Sequence, residues 1–373
     1  CPRRGRRGRR APGPRDVMIK YLGSKRLLLP HLEAAFAALP GAERVLDLFS
    51  GTARVGRALK AAGHEVIAND AMSYAATLAR CYVEADPRCL PDVERALAEL
   101  AAVPPRAGYF TRTFCEEARF FHPKNGARVD AIREAIEARD DDPQVRAVLL
   151  VALMEAADRV DSTTGVQMAY LKKWAKRAHN DLALRVPALV AGRGVALQGD
   201  ARAVAREVEA DAAYLDPPYN QHSYLGNYHV WETLVRWDAP EAYGVARKRV
   251  DCRERKSPFN SKRKIRAAFA EVVAALRVKH VVVSFSDEGY LSREEVVELL
   301  AQRGHVGVVA LDFDRYVGAK IGIHDPSGKK VGRVSHTRNK EMLFVVSPDR
   351  DAVERACAAV AALPPPTRRG RRR

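Results

Sequence analysis

The residues Asp216-Pro217-Pro218-Tyr219 combine a carboxylate, two rings without a backbone donor, and a phenol. Proline fixes φ and removes an N–H, so the carbonyls beside it stay free to accept hydrogen bonds. A carboxylate and a rigid carbonyl next to a flat ring make a pair of acceptors suited to an exocyclic amino group on a nucleobase. The same four residues also read as an ordinary turn, where Asp and Pro are common. Position favours the chemistry. The tetrapeptide follows Ala212-Ala213-Tyr214-Leu215, an apolar run that reads as a buried strand. It therefore leaves the C-terminal edge of a sheet, where open α/β folds bind ligands.

Other acids stand in equivalent places. Asp47 and Asp70 end strand-like runs, and Asp200 follows another such run after Gly199. Parallel strands bring these ends to one edge. Any one of these aspartates alone reads as a strand-end turn or a helix cap; four in register point to a site. Asp70 lies 19 residues after Gly51, the spacing at which an acid accepts ribose hydroxyls beyond a Gly-rich first turn. The turn itself, Gly51-Thr52-Ala53-Arg54, is too poor in glycine for a dinucleotide fingerprint. It also lacks the Lys-Ser/Thr ending of a phosphate loop. A nucleoside without a pyrophosphate, such as S-adenosylmethionine (SAM), fits better.

The elements that position these residues follow from periodicity. Residues 44–49 read as a strand, followed by a helix with Val55, Leu59 and Ala62 on one face and Gly63 as its stop. Residues 64–68 form a second strand and 72–83 a second helix, the opening half of a doubly wound sheet. Clean strand alternation then fades from 85 to 189, where 90–102, 126–138, 145–160 and 164–184 read as helices. The sheet pattern resumes at 195–198 and 212–215. A helix over 228–237 leads into a long, basic, structureless stretch, 238–263. Next come a helix over 265–276, a strand over 280–285, a helix over 293–303 and late strands over 306–313 and 341–346. A Gly- and Lys-rich hairpin-like segment separates the last two.

With these residues in view, the chain resembles the bacterial DNA adenine (N6) methyltransferases, the group related to Dam methylases. Lys20-Tyr21-Leu22-Gly23-Ser24-Lys25 resembles that family's N-terminal SAM-binding motif, and Asp47-Leu48-Phe49-Ser50-Gly51 its first Rossmann turn. Asp70 matches the ribose-binding acid and Asp216–Tyr219 the catalytic tetrapeptide. Residues 227–233 and 256–263 also look like family segments, and the resemblance covers roughly residues 18–347. It implies an α/β, Rossmann-like SAM-dependent methyltransferase sheet with an inserted helical DNA-binding domain. The implied division is a basic tail (1–16), a discontinuous catalytic domain (17–84 and 190–348), a target-recognition insert (85–189), and a C-terminal helix with a second basic tail (349–373).

The resemblance further implies that Tyr21 and Lys25 line the methionine end of SAM. Phe49 and Gly51 let the cofactor approach the backbone, Asp70 holds the ribose, and Asp200 binds near the cofactor adenine. Asp216 and the Pro217 carbonyl accept the two N–H groups of the target amine. Tyr219 stacks on a base flipped out of the duplex, with Tyr224 or Tyr228 as helpers, Tyr228 reading first as core packing. One departure stands out: Ala53 occupies a position where the family often has glycine. Alanine resists φ > 0, so a left-handed backbone there would lower SAM affinity.

Charge and composition bound the partners. The net charge is +17, yet residues 1–15 hold seven arginines and 368–373 five more. Removing those twelve leaves 51 basic against 46 acidic residues, or +5, for the middle. Such tails add salt-sensitive affinity for nucleic acid. In the body, Lys172, Lys173, Lys176 and Arg177 cluster on part of the predicted 164–184 helix. Lys256, Lys262, Arg263 and Lys264 lie beside the catalytic region and suit phosphate contacts. Six scattered cysteines without a Cys-x-x-Cys pair indicate a reduced, cytoplasmic protein and no zinc site. The histidines show no metal-ligand spacing, and His222 and His229 read as polar loop residues. No apolar run reaches membrane-span length. The expected partner is double-stranded DNA, with a cognate restriction endonuclease and a monomeric state as further expectations. N4-cytosine or RNA adenine methylation, a silent nucleic-acid-binding module, and a nucleotide-dependent dehydrogenase are the alternatives.

Overall fold

The computed structural model describes residues 18–314 and 338–366. The two arginine-rich tails and the Gly- and Lys-rich segment before residue 338 lie outside these described residues.

Seven strands form one sheet in the order β3-β2-β1-β4-β7-β9-β8. They are β1 (Arg44–Asp47), β2 (Glu65–Asp70), β3 (Gly194–Gln198), β4 (Ala212–Leu215), β7 (His280–Ser286), β8 (His305–Asp314) and β9 (Arg338–Ser347). The strands from β3 to β7 pair in parallel, and β9 runs antiparallel between β7 and β8. Chain order reverses direction at β1 and β4: β2 and β3 extend one way, β4 and β7 the other. Such a switch point opens a crevice at the C-terminal strand ends, and Asp47 and Asp216 flank it.

Alternation along each strand builds two cores. Val45, Val66, Ala212, Tyr214, Val282 and Leu343 face one side, and Leu46, Ile67, Ala213, Leu215, Val283 and Phe344 the other. The second face is covered by helices Ala201–Glu207, Ile265–Ala275 and Arg293–Ala301. The first is covered by Leu29–Ala37, Ser73–Ala79 and the C-terminal Arg350–Ala361, together with Leu90–Ala102, Pro123–Glu137 and Pro143–Arg159 from the middle of the chain. Val93, Phe110, Phe114, Ile132 and Val148 share one continuous core with Tyr74, Tyr228 and Trp231. The helical segment is thus packed directly onto the sheet's own helices.

Two expectations about elements fail. Residues 164–184 form no long helix; they hold a single 3-10 turn, Lys176–His179. Gly165 at φ +104 breaks the backbone. Tertiary bonds hold the rest open: Gln167 N donates to Asn227 O (2.7 Å) and Leu171 N to Ser162 O (2.9 Å). The four basic residues in this segment therefore do not share a helix face, and Arg177 is taken up by Asp161 at 2.7 Å. The stretch 238–263 is not structureless either. It contains a hairpin, β5 (Ala242–Tyr243) and β6 (Lys248–Arg249), and short 3-10 turns at Val250–Arg253 and Pro258–Asn260. Arg249 anchors it, only 2 % exposed and paired with Asp238 at 2.7 and 2.8 Å and with Asp251 at 3.1 Å.

Ala53 is left-handed, at φ 58 and ψ 17, and stands immediately before the helix Arg54–Ala61. For an L-residue this backbone costs about 1–2 kcal/mol. The Ala53 methyl is fully buried, and losing it costs about 0.8 kcal/mol. The strain term is the larger, so Ala53→Gly is expected to raise stability by up to about 1 kcal/mol. Denaturant unfolding measures the difference; a loss of stability would show that the methyl's packing outweighs the strain.

Candidate active site

The strand ends open into a cleft of about 520 Å³. Its walls include Tyr21, Lys25, Asp47, Phe49, Gly51, Asp70, Asp200, Asp216 and Pro218. Nine of the eleven residues singled out in the sequence therefore converge there. Pro217 and Tyr219 do not line it. Pro217 is buried. The Tyr219 ring packs against Phe285 at 5.2 Å and has the Lys25 ammonium 5.7 Å from its centroid. The cleft's aromatic surface comes from Tyr21, Phe49, Tyr214, Tyr224 and Phe259.

The first turn makes a close approach to the cleft possible. Gly51 is at φ +51, and a Cβ there would meet the Tyr21 ring at 3.3 Å. Its N–H donates to Asp70 Oδ2 at 3.0 Å, while Met72 N donates to Asp70 Oδ1 at 2.9 Å. Each Asp70 oxygen keeps lone pairs for a further donor. Burial pushes Asp70 up to about 6, against the lowering effect of the Met72 and Gly51 bonds. Asp47 is buried more severely. Gly56 N donates to its Oδ2 at 3.0 Å, and burial still pushes it up to about 8. Its Oδ1 and the neighbouring Ser50 hydroxyl are buried with no hydrogen-bond partner among the described residues. Buried polar atoms are normally satisfied. A glycine cradle beside two orphaned polar atoms and a carboxylate with spare acceptors fits a polar, nucleoside-sized ligand.

Asp216 has neighbours that sequence spacing did not reveal. Lys25 Nζ lies 3.0 Å from Asp216 Oδ1 and 2.8 Å from Glu341 Oε1. Ser284 Oγ donates to the same Asp216 oxygen at 3.2 Å and contacts Tyr214 Oη at 2.7 Å. Among the described residues no hydrogen bond reaches Asp216 Oδ2 or the Pro217 carbonyl. Burial pushes Asp216 up to about 6, with Lys25 pulling the other way. For Lys25, burial favours the neutral form, but Asp216 and Glu341 overcome it and hold the ammonium charged.

Asp200 has a second occupation. It caps the helix Ala201–Glu207 through Arg202 N at 2.8 Å and pairs with the Arg202 guanidinium at 2.9 Å. Tyr21 stacks on Tyr224 (5.2 Å) and on Tyr228 (4.6 Å), and those two rings meet each other at 6.3 Å, which ties the N-terminal motif to the segment after the tetrapeptide. Tyr228 is buried core. Arg255 reaches the cleft wall from the basic loop and pairs with the fully buried Glu232 at 3.0 Å. Asn260 Nδ2 donates to Asn220 O (2.8 Å) and His222 O (3.1 Å), so the loop is stitched across the tetrapeptide's exit. His229 belongs to a helix, His229–Arg236, rather than a loop. It is buried against Gln167 O at 2.9 Å, and burial pushes it down to about 3. No group of metal-ligating side chains occurs among the described residues, and no described helix is long and apolar enough to cross a membrane.

A mixed sheet of this order with a nucleoside-sized cleft at its switch point matches the Rossmann-like fold of SAM-dependent methyltransferases. Comparison with known proteins narrows the class. The model of the D12 class N6 adenine-specific DNA methyltransferases matches residues 21–299. The type II methyltransferase M.NlaIII of Neisseria lactamica is 31% identical over 317 residues, covering 81% of this chain and 93% of its own. The modification methylase StsI of Streptococcus sanguinis is 28% identical over 78% of this chain, and M.FokI of Planomicrobium okeanokoites 29% over 77%. The match spans only 47% of each of those two longer relatives. The chain belongs to the D12 class of adenine-specific DNA methyltransferases.

Proposed function

We propose that this enzyme transfers the methyl group of SAM to the N6 amine of an adenine flipped out of double-stranded DNA. The observation that carries the site assignment is the division of labour at Asp216. One oxygen is held by Lys25 and Ser284, and the other has no partner among the described residues.

When bound, SAM supplies an activated methyl on a sulfonium. The chain's residues do the rest. Gly51 and Tyr21 shape the cradle, Asp70 accepts the ribose hydroxyls, and the unpartnered atoms of Asp47 and Ser50 gain hydrogen bonds. Asp216 Oδ2 and the Pro217 carbonyl each accept one N–H of the target amine. The amine lone pair is otherwise delocalised into the ring; two fixed acceptors localise it for in-line attack. Positioning and preorganised acceptors of this kind each contribute several kcal/mol of barrier reduction. The base must leave the duplex to reach the cleft, at a cost of a few kcal/mol offset by stacking. Tyr219 is assigned to that stack, with Tyr224 on the cleft wall as the second ring.

Residues 85–189 are assigned to target recognition, and 17–84 with 190–348 to catalysis. Lys256, Lys262, Arg263 and Lys264 are exposed and are assigned to DNA phosphates. The enzyme is proposed to act as a monomer in the cytoplasm, with a restriction endonuclease as its functional counterpart. The test is transfer of a labelled methyl from SAM to duplex DNA, followed by nucleoside analysis. N6-methyladenine is the expected product. N4-methylcytosine, or label confined to RNA, would overturn the assignment.

A further inference from the structure

Glu341 lies beyond the residues matched by the family model, which ends at 299. It sits on β9, the antiparallel strand, 316 positions from the lysine it touches. Yet it completes the surroundings of Asp216. Its side chain is 10 % exposed and its carboxylate lies 2.8 Å from Lys25 Nζ. A buried ion pair adds little net stability, because desolvation offsets the attraction, so its presence at the reacting end of the cleft calls for a reason beyond stability.

The reason lies in counting charge. Lys25 alone would neutralise Asp216 and engage one of its oxygens. With Glu341 on the other side of the ammonium, the three groups carry a net charge of −1. The other titratable groups facing Asp216 are Asp47, Tyr214, Tyr219, Tyr224 and, through the lysine, Glu341 itself. Burial holds the three tyrosines above their ordinary value and Asp47 at about 8. At neutral pH the local balance is therefore set by Lys25, Asp216 and Glu341.

We propose that Glu341 is a positioning residue for methyl transfer: by sharing the Lys25 ammonium, it leaves Asp216 net negative, with Oδ2 turned over to the substrate amine. This rests on the reading of Asp216 as the amine acceptor. As the N–CH3 bond forms, the S–CH3 bond breaks and its electron pair stays on the donor's sulfur. The amine nitrogen becomes positively charged and then loses one N–H proton to Asp216 Oδ2, which releases it to solvent through the open cleft. A net negative cluster stabilises that nitrogen, whereas a neutral one does so weakly.

The experiment is the pH profile of kcat at saturating SAM and DNA for wild type and Glu341→Gln. Glutamine keeps an oxygen for Lys25 and removes only the charge. In the wild type the acid limb is expected near pH 6, from Asp216. In Glu341→Gln that limb moves to lower pH, because Lys25 then acts on Asp216 alone, and the plateau falls by about tenfold or more. A slower variant with an unmoved limb would mean a merely structural role and would overturn the proposal, as would an unchanged profile. Should the single variant not fold, Lys25→Met with Glu341→Gln replaces the buried pair by neutral groups. Its limb is expected above that of wild type, and an unmoved limb there also overturns the proposal. Absence of any acid limb in wild type would instead count against Asp216 as acceptor.

Discussion

Asp216→Ala is expected to abolish methyl transfer, with kcat reduced by at least about 10³-fold, while SAM binding survives within a few-fold. The two functions occupy separate places. The cofactor cradle is built from Tyr21, Gly51 and Asp70, and none of its hydrogen bonds involves Asp216. Loss of the carboxylate removes the free acceptor oxygen and leaves the amine lone pair delocalised. The fold should tolerate the change, because Lys25 keeps Glu341 at 2.8 Å and the two form a neutral pair. Calorimetric SAM binding and single-turnover transfer measure the two halves. Substantial turnover in the variant would remove Asp216 from the mechanism; loss of SAM binding would move it into the cradle.

Lys25→Met has the largest expected effect on stability. Its side chain is 7 % exposed and holds two carboxylates that are themselves 20 % and 10 % exposed. Removing one partner of a buried ionic group leaves uncompensated charge, a loss of about 3–5 kcal/mol. Because Asp216 borders an open cleft, the lower end, about 3 kcal/mol, is expected near pH 8. The pH dependence gives the mechanism away. Asp216 is already raised to about 6 with the lysine present, and it rises further without it. A carboxyl whose folded-state affinity for protons exceeds its unfolded one penalises folding above its folded pKa. That penalty fades as pH falls through it. The gap between variant and wild type should therefore shrink to less than half by pH 5. A gap independent of pH would mean that lost packing of the lysine stem, and not stranded charge, causes the damage.

The parts of this site legible in the sequence are those fixed by local order. Asp47, Asp70 and Asp216 could be placed because each ends or follows an apolar run, and parallel pairing brings such ends together. The helix Leu90–Ala102 was equally clear from its apolar spacing. The Lys25–Glu341 contact was not legible. It depends on β9 inserting between β7 and β8, which no local pattern announces. The segment after residue 164 misled because its periodicity suits a helix, while Gly165 and bonds to Ser162 and Asn227 hold it open. The basic stretch after Trp237 looked structureless because its order comes from a buried arginine, Arg249, rather than from apolar alternation. Ala53 shows the converse: its residue type argued against a left-handed backbone, and the turn imposes one.

Single-molecule sequencing of DNA from cells expressing the wild-type chain or Asp216→Ala tests most directly whether Asp216 carries adenine methylation. N6-methyladenine is expected in one recurring sequence motif with the wild type and none with the variant. No modified adenine from a SAM-binding wild-type protein, or marks that persist with Asp216→Ala, would contradict that expectation.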